Sequence, residues 1–304
     1  MYRYKNLLVG LKLDKHDIPI IQYAAKISRM AKSDNVYFLH VLTKEEIPES
    51  IRASYPGLVI DKATEIEEQM MNLVEANFNG DEKSNIHFKI VEGKRLFTFL
   101  SYIRDYDIDV VLAGRQDNKN SETVFPERLA RKAPCSVLII PSTSEISIKK
   151  VMVACDFSEQ SLDALDVAIA FAKAVGLNEV ICTHIYQLPL GYYKTGKTRE
   201  EFSEIMFRNA EQEFKSFIKR ADLKDLSVKS IIEESNGKMA SSLAQVMERE
   251  KVDLLTIGSR GRSASAAILL GSLTEHLLWT SQVPIIAVKK KGANMQLIEA
   301  LLNI

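Results

Sequence analysis

The sequence predicts an α/β protein made of two tandem doubly wound domains, each built around a parallel five-stranded sheet. Three observations carry this expectation. Short apolar runs alternate with stretches whose apolar residues recur at helical spacing. The runs are apolar throughout, as suits strands buried on both faces of a parallel sheet. The order of runs and helical stretches in residues 1–145 then recurs in residues 146–290.

In the first half, strands are expected at 6–11 (NLLVGL), 36–42 (VYFLHVL), 86–91, 109–113 (DVVLA) and 136–140 (SVLII). Helices are expected between them at 18–31, 61–78, 95–104 and 127–132. In the second half the strands are 150–154 (KVMVA), 179–185 (EVICTHI), 227–232, 253–257 (DLLTI) and 284–288 (PIIAV). The helices are 161–174, 199–221, 239–248 and 273–280. Parallel neighbours joined through helices require right-handed crossovers.

The repeat has a fixed offset. His40 and His184 are 144 residues apart, as are Gly93 and Gly237, Lys94 and Lys238, Asp109 and Asp253, and Gly114 and Gly258. Each pair falls at the same point of the repeated pattern. Beyond Gly114 the first copy is four residues shorter, so that Glu127 matches Glu275 and Leu129 matches Leu277. The polar stretch 141–149 (PSTSEISIK) reads as the linker, giving domains 1–145 and 146–290 and a tail, 291–304. The tail follows a basic run and is expected to fold back on the body or to fray.

Composition narrows the function classes. The 304 residues carry 40 basic and 40 acidic side chains, so no global charge draws the chain to nucleic acid or an anionic membrane. No apolar run is long enough for a membrane span or a signal peptide. Cys135, Cys155 and Cys182 form no CxxC pair and lie in or beside apolar runs. They read as buried thiols in a reducing cytoplasm. Five histidines without ligand spacing give no metal site, and His40 and His184, near strand ends, read as structural.

The chemistry concentrates after the strand DLLTI. Gly258-Ser259-Arg260-Gly261 is followed, nine residues on, by Gly271-Ser272 at the start of a helix. Glycines let backbone N–H groups approach an anion and make φ > 0 accessible. The unpaired amides of a helix N-terminus favour phosphate. Ser272 and Glu275 have capping-box spacing. Arg260 and Arg262 offer forked donors, and Ser259, Ser263, Ser265, Ser272 and Thr274 offer hydroxyls. The loop follows a strand's carboxyl end, where open α/β sheets bind ligands. The first strand of the same copy ends at Asp156, whose carboxylate can accept from ribose hydroxyls or an adenine amine. A helix cap is the alternative role for Asp156, as for Ser158.

The pattern G-x-x-G, nine residues, G-S, with V-A-x-D-x-S at 153–158, His184 and the ending APCSVLII at 133–140, resembles the universal stress protein family. The resemblance covers residues 4–141 and 149–290. It implies a Rossmann-like fold of the adenine nucleotide alpha hydrolase-like type, with ATP as ligand, to which Mg²⁺ can be joined. It implies that Asp156 serves adenine and ribose, and that Gly258, Arg260, Gly261, Gly271, Ser272, Leu273 and Thr274 serve ribose and phosphates. Residues 180–184 run into the region flanking adenine. The first copy departs from the signature: Lys12 stands at the place of Asp156, Asp117 at that of Gly261, and Thr123-Val124 at that of Gly271-Ser272. It is expected not to bind ATP in this way.

The resemblance implies a regulatory module in stress resistance or dormancy, with slow hydrolysis at most, an unidentified protein partner, and pairing through the last strands (SVLII and PIIAV) as an internal pseudo-dimer or a homodimer. An enzyme of the same superfamily is the alternative, but neither an HxGH nor an SGGxD loop follows either first strand, which read GLKLDKHD and ACDFSEQS. A scaffold without nucleotide is the other alternative.

Overall fold

The computed structural model describes residues 4–42, 54, 57–115, 124–261, 270–290 and 292, the side chains of 57–63 and 124 excepted. The chain forms two compact units, one running to Ile146 and the other Ser147–Lys290.

In the first unit, β1 (Asn6–Leu11), α1 (Ile18–Ala31), β2 (Asn35–Leu42), α2 (Gly57–Asn77), β3 (Asn85–Glu92), α3 (Arg95–Asp105), β4 (Val110–Arg115), α4 (Val124–Lys132) and β5 (Ser136–Pro141) follow one another. The sheet order is β3-β2-β1-β4-β5, all parallel. In the second unit come β6 (Val151–Ala154), α5 (Glu159–Ala174), β7 (Glu179–Tyr186), α6 (Arg199–Ile218), β8 (Ser227–Glu234), α7 (Met239–Glu250), β9 (Leu254–Gly258), α8 (Ser272–Thr280) and β10 (Ile285–Val288). Its order, β8-β7-β6-β9-β10, is the same winding. The central strands are buried along their length, which is why their sequences do not alternate.

The 144-residue offset extends into geometry. Leu8 pairs with Tyr37 as Met152 pairs with Ile181, and Leu7 with Val110 as Val151 with Leu254. The left-handed backbone positions recur in pairs: Leu13 and Phe157, Lys32 and Gly176, Asp107 and Lys251. Asp109 Oδ2 accepts the amides of Lys5 and Asn6 at 2.7 and 2.8 Å, and Asp253 Oδ2 those of Lys149 and Lys150 at the same distances. These carboxylates tie the entry of the first strand to the fourth in each unit. Among the described residues, no helix is long and apolar enough to cross a membrane.

Candidate functional site

In the second unit the strand order reverses between β6 and β9, so their carboxyl ends open a crevice. A cavity of about 530 Å³ lies there, within the range of small-ligand sites. Asp156, Gly258, Arg260, Gly261, Gly271, Ser272, Leu273 and Thr274 all line it.

The loop after β9 is held by backbone bonds. The Ser259 amide donates to Val288 O at 3.1 Å, and the Gly271 amide to Ser259 O at 2.8 Å. The Thr274 hydroxyl, buried, donates to Gly258 O at 3.0 Å and fastens α8 to the loop. The glycines serve close approach, not left-handed backbone: none of Gly258, Gly261 and Gly271 has a positive φ. A Cβ on Gly258 would stand 2.9 Å from Gln160 Cβ and 3.1 Å from that residue's backbone. One on Gly261 would stand 3.2 Å from Asp156 Oδ2.

The expected capping box at Ser272 and Glu275 does not form. Gly271 is the N-cap, Ser272 is already the first helical residue, and the N-cap glycine has no side chain to cap with. A box of that kind forms instead at α6, between Thr198 and Glu201. The first amides of α8 therefore have no intrahelical acceptor and face the cavity end of the helix. Ser259, expected as a hydroxyl donor, is buried and is not among the residues that line the cavity. Arg262, Ser263 and Ser265, with Asp117 and Thr123 of the first copy and the tail 293–304, lie outside the described residues.

Asp156 is oriented by its neighbours. The Ser161 hydroxyl donates to its Oδ1 at 2.6 Å and the Ser158 amide at 3.1 Å, while the Asp156 amide donates to Ser161 Oγ at 3.0 Å. Oδ1 is thus held in the turn, and Oδ2 faces Gly261. The cap of α5 belongs to Ser158, whose hydroxyl accepts from the Ser161 amide.

His184 also lines the cavity. Its Nδ1 lies 2.8 Å from the Cys155 carbonyl, which only accepts, so Nδ1 carries the proton. His40 meets Leu11 O in the same way at 3.1 Å; burial holds its pKa below the ordinary value. Both are structural links between the ends of neighbouring strands. All three cysteines are buried; the Cys155 thiol beside Cys182, and burial, hold the latter's pKa well above the usual range.

Two cavity residues carried no sequence signal: Met239 and Leu243 come from α7, which packs on β7. Thr183, in the middle of an apolar strand, falls in the stretch 180–184 that the resemblance set beside adenine, without being singled out there. The strand register puts Ala154 opposite both Thr183 and Ile257.

The corresponding nook of the first unit, between Gly10, Lys12, Asp17, Ile20, Arg95 and Gly114, measures about 10 Å³, room for about one water at most. Phe99 lies where a Cβ on Gly10 would come within 2.7 Å, Ile20 Cδ1 within 2.5 Å of one on Gly114, and the Arg95 guanidinium stacks 4.2 Å over Phe125. At the place of Ser161, buried Asp17 accepts from the Lys12 and Leu13 amides at 2.8 and 2.6 Å.

The family model described as Universal stress protein family matches residues 147–289. Universal stress protein MJ0577 of Methanocaldococcus jannaschii is 31% identical over 163 residues, covering 49% of this chain and 99% of that protein. Universal stress protein MJ0531 of the same organism is 29% identical over 143 residues, covering 47% of this chain and 82% of its own. The crystal structure of a universal stress protein from Archaeoglobus fulgidus superposes with a TM-score of 0.66 at 16% identity, covering 94% of this chain and 96% of that one, which speaks for the fold. The winding repeated in both units, the crevice between β6 and β9 and the match to MJ0577 together make this chain a tandem member of the universal stress protein family.

Proposed function

We propose that the second unit binds ATP and that the chain is a nucleotide-responsive regulatory module of the stress response, acting in a reducing cytoplasm. One observation carries this reading: eight residues chosen from the sequence alone line a single cavity of about 530 Å³. Their distribution supports an extended ligand. The loop Gly258–Gly261 and the glycine-capped start of α8 suit the phosphates, with Arg260 as the forked cation. Asp156, at the end of the adjacent strand, suits the ribose hydroxyls. The apolar side chains of Met239, Leu243 and Ile185 suit a planar base. A Mg²⁺ bound with the phosphates would also answer the carboxylate of Glu275, which lines the same cavity. The closed nook of the first unit supports one nucleotide per chain.

The chemistry available favours holding over cleaving. The Nδ1 proton of His184 is committed to Cys155 O, and Asp156 Oδ1 to its own turn. The acceptor nitrogen left to His184 lies at the end of β7, two strands from the loop that suits phosphate, and Asp156 suits the ribose, so neither stands as a base beside a terminal phosphate.

Calorimetric titration with ATP tests the reading. Wild type should bind one equivalent. Gly261→Asp, which sets a second carboxylate against Asp156 Oδ2, should lose at least about tenfold in affinity, since like charges in a partly dry site cost about 1.4 kcal/mol or more. Equal binding by the variant would remove the phosphate loop from the site. Steady release of AMP and pyrophosphate would favour an enzyme instead, and mass spectrometry of gently purified protein would reveal a retained nucleotide.

A further inference from the structure

We propose that Thr183 is the polar anchor for the base in this cavity; the proposal rests on the nucleotide reading above. The registers of β9, β6 and β7 put Ile257, Ala154 and Thr183 side by side in one row, and all three line the cavity. Thr183 is the one polar residue of the three. It is 1% exposed, and its hydroxyl is buried with no hydrogen-bond partner among the described residues.

A buried hydroxyl without a partner is destabilising, and valine would fill nearly the same space without that cost. A ligand that supplies the missing partner accounts for threonine here. The position selects which part of the ligand. Thr183 stands two strands from β9, roughly 10 Å at the usual strand spacing, so it is remote from the loop that suits phosphate. Asp156 follows the strand between them. The base is the part left to β7, where Met239 and Leu243 cover the same end of the cavity. A hydroxyl both donates and accepts, so it can meet a ring nitrogen or an exocyclic amine. The first unit provides the internal contrast. Its equivalent residue, Leu39, is fully buried and apolar, and its neighbour Gly10 is covered by Phe99. The hydroxyl occurs in the unit that has the cavity.

The test uses the full chain with Thr183→Val and Thr183→Ser, and two readouts whose signs oppose. Without ligand, Thr183→Val should melt about 2–4 °C higher than wild type, because an unsatisfied group is gone. In titrations the same variant should bind ATP and adenosine about five- to tenfold more weakly, the worth of one hydrogen bond, and inorganic tripolyphosphate as wild type does. Thr183→Ser, which keeps the hydroxyl, should stay within about twofold for ATP. A lower melting temperature for Thr183→Val would show a hydroxyl serving the fold, and would overturn the proposal. So would unchanged ATP and adenosine binding, or an equal loss for tripolyphosphate. If wild type binds ATP while Thr183→Val binds it equally, only the anchor falls. If wild type binds neither ATP nor adenosine, the nucleotide reading falls and the anchor with it.

Discussion

At the scale of single residues, the two copies have exchanged the position of one carboxylate. In the second unit the acid is Asp156, at the end of β6, and Ser161 steadies it from the start of α5. In the first unit the acid is Asp17, in the place of Ser161, and Lys12 stands where Asp156 would be. Asp17 holds the turn from inside the protein, and burial, outweighing the Leu13 and Lys12 amides, pushes its pKa up to about 6. The folded state therefore holds this proton more tightly than the unfolded chain, whose carboxyl has a pKa near 3.8. Its contribution to stability is fully present below about pH 4 and is lost as pH rises through about 6, on the order of 3 kcal/mol in all. Relative to wild type, Asp17→Asn should gain melting temperature steadily between pH 4 and pH 7. A constant difference across that range would show that Asp17 does not titrate there.

At the scale of elements, strand positions were legible to within a residue or so, because a buried parallel strand leaves an uninterrupted apolar run. Helix ends were less legible. The spacing of Ser272 and Glu275 suggested a capping box, but the strap from the Gly271 amide to Ser259 O sets that glycine as the cap and makes Ser272 helical. The loop and Asp156 could be read in the sequence because both sit directly after strands. Met239 and Leu243 could not, because helix packing brings them in and no local pattern marks them, and Thr183 was covered only by the stretch 180–184 until register set it beside Ala154. The seam between α8 and its loop rests on the Thr274 hydroxyl at Gly258 O. Thr274→Val should cost about 1–2 kcal/mol of stability and weaken ATP binding, whereas Thr274→Ser should preserve both, as thermal melts and titration would record.

At the scale of the whole chain, duplication supplied one winding twice, and the copies then diverged where the fourth strand ends. The repeat was readable as an offset of 144 because the positions that fix the fold, such as Asp109 and Asp253, kept their identity. The divergence was readable only in part. Lys12 marked it in the sequence, but the filling of the first nook by Phe99 and Ile20 involves ordinary core residues that carry no warning. Hydrogen exchange on the intact chain should show ATP slowing amides of Asp156, residues 258–261 and the start of α8, with no change in β1, β4 or α3. Protection appearing equally in both units would mean that two nucleotides bind.

The ring of Phe99 over Gly10 has a thermodynamic consequence. A core filled by its own side chains has a stability that no ligand sets, whereas a core left open for a ligand borrows part of its stability from solution, growing with the logarithm of ligand concentration. If the second unit binds nucleotide as proposed, the first is a constant towards that ligand and the second a variable. Comparing their resistance to unfolding within one molecule would then give a ratio that tracks the nucleotide level and cancels whatever acts on both halves alike.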